Sequence, residues 1–190
     1  MTLALAGLVA GFIHVLSGPD HLAAIAPCAV TWKRRAWRMG VRWGLGHGAG
    51  VLIVGMLALL LRHALPVEVL SAWSETCVGL VLVAIGIWGL RRAFAGHIHS
   101  GRHGGVAVAV GTLHGLAGSS HLLGILPALA LPSSLAAGAY LLAFVAGSIA
   151  AMGIFAALLG SVPGAVRVQR ALLGFSSAIA VGVGLFWMVR

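Results

Sequence analysis

The chain has 190 residues, 61% of them hydrophobic and only 8% charged, with a mean hydropathy of +1.08. A water-soluble domain of this length needs far more charge to cover its surface, so the composition excludes one and points to bilayer-spanning helices. The formal charge of +9 calls for no nucleic-acid partner, because the Lys and Arg of a membrane protein collect in its cytoplasmic loops.

Hydropathy predicts six spans, over about 3–30, 40–61, 73–90, 105–131, 135–160 and 171–189. The first is not a cleavable signal peptide: Met1-Thr2-Leu3-Ala4 carries no positive charge, and the run continues past His14 and Asp20. It is too long for one straight helix, and Gly18-Pro19 near its middle predicts a break. In lipid such a break survives only where protein or a wet cavity satisfies the freed backbone groups. Lys33, Arg34, Arg35, Arg38 and Arg42 follow the first span, Arg91, Arg92 and Arg102 the third, Arg167 and Arg170 the fifth; only Arg62 and Arg190 lie on the opposite side. Ten against two places those three connections in the cytoplasm and both termini outside it. Cys28 and Cys77 form no CxxC pair and read as packing residues.

Sliding the chain against itself by 100 residues brings out an internal repeat. Gly11, His14, Leu16, Gly18, His21, Leu22, Ile25 and Pro27 meet Gly111, His114, Leu116, Gly118, His121, Leu122, Ile125 and Pro127, eight identities in seventeen positions. Further on, Trp43-Gly44-Leu45-Gly46-His47 falls opposite Phe144-Val145-Ala146-Gly147-Ser148, and Gly86 and Arg92 opposite Gly184 and Arg190. Three spans per half is an odd number, so the second half enters the membrane upside down. The expected fold is an all-α integral membrane protein: a single transmembrane domain over 1–190 with six helices arranged as two inverted three-helix repeats. The halves run over 1–95 and 105–190, joined by a loop at 96–104, and the first helix of each is broken near the midplane. Such repeats place substrates at the interface between the halves. A duplicated fold that merely keeps packing residues is the alternative.

The repeat gathers His14, His21, His114 and His121 toward one centre. The first motif reads His14-X5-Asp20-His21, and on an unbroken helix its histidines lie two turns apart on one face. Asp20 is the only acid deep inside a span, since Glu68 and Glu75 fall in or near a short outer loop. An ionised side chain at that depth costs at least about 2.5–3.5 kcal/mol, which a bound cation offsets directly. Pairing with a histidine as a proton relay, or capping the half-helix after Pro19, are the other roles open to Asp20. His47 sits among small residues, Gly44-Leu-Gly46-His47-Gly48-Ala-Gly50, which let this helix press against the broken one and deliver an imidazole. In the second half Ser119-Ser120 replaces Pro19-Asp20, so one negative charge comes from the first half alone. The metal ligands expected are His14, Asp20, His21, His47, His114 and His121. Imidazoles with one carboxylate suit nickel, cobalt, zinc or copper and argue against an all-oxygen calcium or magnesium site. The loop holding His97, His99 and His103 is either a metal-collecting segment or a solvated connector.

These motifs resemble the nickel/cobalt transporter families, in the short NicO or UreH-like branch related to HupE/UreJ permeases within the lysine-exporter superfamily. The family's HX4DH motif stands here one residue longer. Its Leu-Gly-His-Ser-like element appears as Leu45-Gly46-His47-Gly48, and its second-half motif as His114-Gly115-Leu-Ala-Gly118. The resemblance implies a secondary permease, not an enzyme, moving nickel or cobalt as substrate across the bacterial cytoplasmic membrane, with no permanently bound cofactor. A cytoplasmic metallochaperone and a second copy of the chain are the protein partners such a permease would take. No P-loop is visible. The competing readings are an exporter or permease for another ion, a membrane thiol-redox protein using Cys28 and Cys77, and an intramembrane hydrolase using Ser119 or Ser120, for which no GxSx or HExxH signature is visible.

Overall fold

The computed structural model describes residues 2–61, 67–95, 104–116, 119–163 and 166–189, with side chains except at 61, 67–75, 77, 78, 104, 119–123, 166 and 187. The described chain is almost entirely helical: α1 (Thr2–Ser17), α2 (Pro19–Trp32), a 3-10 turn (Lys33–Arg35), α3 (Ala36–Leu61), α4 (Val67–Ala95), α5 (Gly104–Leu116), α6 (Ser119–Leu129), α7 (Ser134–Gly160) and α8 (Val166–Val189). Among the described residues, three helical stretches are long and apolar enough to cross a membrane: Pro19–Leu60, Ser134–Gly160 and Arg167–Phe186. The first joins α2 to α3 through the turn at Lys33, whose φ of 50° is the only positive value at a non-glycine among the described residues. At 1.5 Å per residue α1 reaches about 24 Å, short of the roughly 30 Å hydrocarbon core, and α2 is shorter still. α4 begins at Val67, so Glu68 and Glu75 stand on its backbone rather than in a loop; their side chains are outside the described set.

The outward surface matches lipid. Leu5, Ile53, Met56, Leu60, Leu135, Leu142, Leu158 and Phe175 are exposed on helix after helix, a distribution that water would penalise and hydrocarbon accepts. Arg38 lies 5.3 Å over the Trp37 ring and Arg92 4.8 Å over the Trp88 ring, pairings of the kind that anchor helix ends at a bilayer interface.

Packing follows the sequence repeat. α1 lies along α7, α5 lies along α3, and α4 pairs with α8; exchanging the halves maps the first contact onto the second and the third onto itself. The crossings agree at residue level. A Cβ added at Gly11 would strike the carbonyl oxygen of Phe144, and one added at Gly111 that of Trp43. In lipid, where helices gain little from the hydrophobic effect, such contact between backbones is a main source of association. α3 thus presses its Gly46 and Gly50 on α5 of the opposite half, not chiefly on the α1–α2 pair as its small residues alone suggested. Two buried clusters result, one holding Ile25, Met39 and Trp43 and the other their counterparts Ile125, Tyr140 and Phe144.

Candidate metal centre

The break between α1 and α2 builds half of the site. Gly18 is extended, at φ −85° and ψ 103°, and Pro19 opens α2; lacking an N–H, Pro19 cannot donate to the Val15 carbonyl, so the α-helical ladder is interrupted. The Gly18 N–H donates to the His14 carbonyl oxygen at 3.0 Å, which keeps the two helices in tight sequence. A side chain at position 18 would collide with the His21 ring and with Asp20 Oδ1, so the space demands glycine although its φ does not. Gly18 is the N-cap and no side chain bonds there; Asp20 therefore does not cap α2, and its carboxylate turns to the histidines instead. It still sits in the first turn, where the helix dipole favours negative charge. Seven residues of unbroken helix would separate His14 from His21 by about 10.5 Å; across the break their ring centroids are 4.6 Å apart.

The other half comes from the α3–α5 crossing. A Cβ at Gly115 would meet the His47 carbonyl, so the backbones carrying His47 and His114 nearly touch, and their rings lie 5.8 Å apart. His21 is the hub: its ring is 5.0 Å from His47 and 4.8 Å from His114. Its Nδ1 is 3.0 Å from Asp20 Oδ1, while His114 Nε2 is 3.4 Å from Asp20 Oδ2. Asp20, His21, His47 and His114 are buried and His14 is half-buried.

Within this cluster, His14, His21 and His47 form one triad, and Asp20, His21 and His114 another; in each, the candidate ligand atoms lie within 4.8 Å of one another. Three donors each held about 2.0–2.2 Å from one cation lie roughly 3.3–3.8 Å apart, so either triad has to draw in to close on one ion. Imidazole nitrogen with a single carboxylate is a donor set for borderline divalent ions. Five of the six residues expected from the sequence thus converge. The sixth, His121, has its backbone in α6 but its side chain outside the described set, and His97, His99 and His103 also lie outside it. Half-buried Cys28 belongs to neither triad.

Three neighbours escaped the sequence reasoning. Phe144 lies 5.3 Å from the His14 ring and Trp43 6.5 Å from that of His114. Ser148, opposite His47 in the repeat, is buried with its hydroxyl within reach of the Phe144 and Gly11 carbonyl oxygens, at 2.9 and 3.2 Å, so in the second half this position ties α7 to α1 instead of offering a ligand. The alignment of Trp43 with Phe144 was the available signal.

The chain is 39% identical to the "Chloroplast protein FOR GROWTH AND FERTILITY 1" of Arabidopsis thaliana over 97% of its own length, but spans only 58% of that protein. It is 28% identical to the "Urease accessory protein UreH" of Bacillus sp. (strain TB-90), over 96% of the chain and 88% of the relative. It is also 26% identical, over 50% of the chain and 46% of the relative, to the "Putative nickel/cobalt efflux system MJ1092" of Methanocaldococcus jannaschii. No family model and no solved structure matches. The second and third names are those of an accessory protein and an efflux system rather than of enzymes.

Proposed function

We propose that this chain is a membrane permease for a divalent transition metal, nickel or cobalt first, which holds the ion in transit between imidazoles of both repeat halves and the Asp20 carboxylate. The observation that carries it is the convergence of a buried acid and four histidines from four helices, α1, α2, α3 and α5, on the break between α1 and α2. A buried carboxylate among imidazoles, in a chain whose exterior suits lipid, is expensive without a function, and a cation passing through the site makes use of every member. The likeness to UreH and to the archaeal efflux protein supports the same class of cargo.

In this reading α1–α2, α3 and α4 make three spans, α5–α6, α7 and α8 the same three inverted, and the basic connections face the cytoplasm of a bacterial cell or the equivalent compartment of an organelle. The test is accumulation of radioactive nickel by vesicles carrying the full chain, beside His14→Ala, Asp20→Asn and His21→Ala. Each substitution should abolish it; accumulation unchanged in all three contradicts the assignment.

A further inference from the structure

Two hollows flank the imidazole cluster, and they are built from equivalent residues. One, of about 450 Å³, is lined by Ala10, His14, Ser17, Asp20, Tyr140 and Phe144 among others. The second, of about 530 Å³, is lined by Cys28, Met39, Trp43, Trp88, Arg92 and Val110 among others. In the registers that align the halves, Ala10, Tyr140 and Phe144 of the first correspond to Val110, Met39 and Trp43 of the second. The same feature has been made twice, once in each orientation.

The two copies differ in what they reach. The first contains the candidate ligands His14 and Asp20; the second contains none of the five clustered side chains. What separates it from them is Trp43, which lines that hollow, is 1% exposed and lies 6.5 Å from His114. Its indole N–H is buried with no hydrogen-bond partner among the described residues. Packing alone therefore holds the ring, and a swing into the adjoining hollow would let the buried donor find a partner. Phe144, its counterpart, stands beside His14 at the first hollow with no polar group to restrain it.

We propose that the hollows are the two mouths of one transport route, that Trp43 is its closed gate in this structure, and that Phe144 closes the opposite mouth when the exchange of halves is reversed. The proposal rests on the permease reading above. The mouth behind Trp43 is lined by Trp32 and Arg92, next to the basic turn Lys33–Arg35, whereas no Lys or Arg is among the described residues that line the other. Two gates related by the repeat allow the site to face one side at a time, with a small rearrangement at each aromatic ring.

The experiment uses the full chain in oriented proteoliposomes and a membrane-impermeant methanethiosulfonate reagent, without metal. One variant keeps Cys28 and carries Cys77→Ala; the other carries Ser17→Cys with both native cysteines changed to Ala. Cys28 should react only from the side of the basic connections, and Ser17→Cys only from the other. Adding Trp43→Ala to the second variant should abolish that sidedness, and Trp43→Phe should restore it. Reaction of both positions from one face overturns the two-mouth route, and sidedness unaltered by Trp43→Ala overturns the gate. The first comparison needs no change at Trp43, so it decides the route even if Trp43→Ala does not fold. Nickel binding by the same preparations, measured separately, tells failure of the gate from failure of the metal assignment.

Discussion

His21 and His114 come from opposite halves of the chain, yet their rings lie 4.8 Å apart and both reach the same carboxylate, His21 Nδ1 at 3.0 Å from Asp20 Oδ1 and His114 Nε2 at 3.4 Å from Asp20 Oδ2. The repeat thus does more than duplicate a motif. It folds the second copy back onto the one negative charge that only the first copy carries.

That sharing makes Asp20 the most sensitive position. Asp20→Asn keeps the shape and an oxygen that can accept from His21, so the metal-free protein should melt at an unchanged temperature. Nickel affinity should fall by more than the roughly 10–100-fold typical of changes just outside a ligand shell. Isothermal titration of the detergent-solubilised protein, with a melting curve recorded without metal, checks both halves of the statement.

Gly18 is held by space rather than by φ. Gly18→Ala places a methyl group against the His21 ring and Asp20 Oδ1, so those two side chains must shift while α1 and α2 can remain. The expected outcome is metal affinity lowered at least about tenfold, or about 1.4 kcal/mol, with helical content by circular dichroism unchanged.

The two glycine crossings should respond alike. Gly11→Ala and Gly111→Ala each drive a Cβ into a facing backbone carbonyl, an overpacking of the kind that costs about 1–3 kcal/mol. Gly138→Ala and Gly182→Ala, where nothing lies within 4 Å, should be neutral or slightly stabilising. Unfolding in denaturing detergent would order the four variants, and a large effect at Gly11 with none at Gly111 would deny that the crossings are equivalent.

Orientation is open to direct labelling. With the native cysteines removed, Arg34→Cys in the exposed turn before α3 should react with an impermeant maleimide from the cytoplasmic face, and Ser134→Cys at the exposed start of α7 from the opposite face. Reaction of both from one side would undo the six-span inverted topology.

Much of this arrangement was legible in the residues. Gly18-Pro19 announced the helix break because no other pair removes a donor and leaves room so economically, and matched histidines at 14 and 114 announced a shared centre. The partner of α3 was not legible. Gly46 and Gly50 state that some backbone comes close, but every backbone offers the same carbonyls, so nothing local distinguishes α5 from α1. Trp43 and Phe144 stood out in the residues only as aligned positions, because an aromatic side chain that fills space and one that borders a site carry the same chemistry. α4 starts before the hydropathy span at 73–90 because hydropathy marks only the apolar part of a helix, and the stretch from Val67 that carries Glu68 lies outside it.

The cluster itself is best tested by X-ray absorption at the nickel edge on the nickel-loaded full chain. One tightly bound ion per chain is expected, surrounded by nitrogen and oxygen at about 2.0–2.1 Å with the multiple-scattering signature of several imidazoles, and losing part of that signature in His114→Ala. A sulfur shell near 2.3 Å, or a spectrum that His114→Ala leaves unchanged, would contradict a site shared between the two halves.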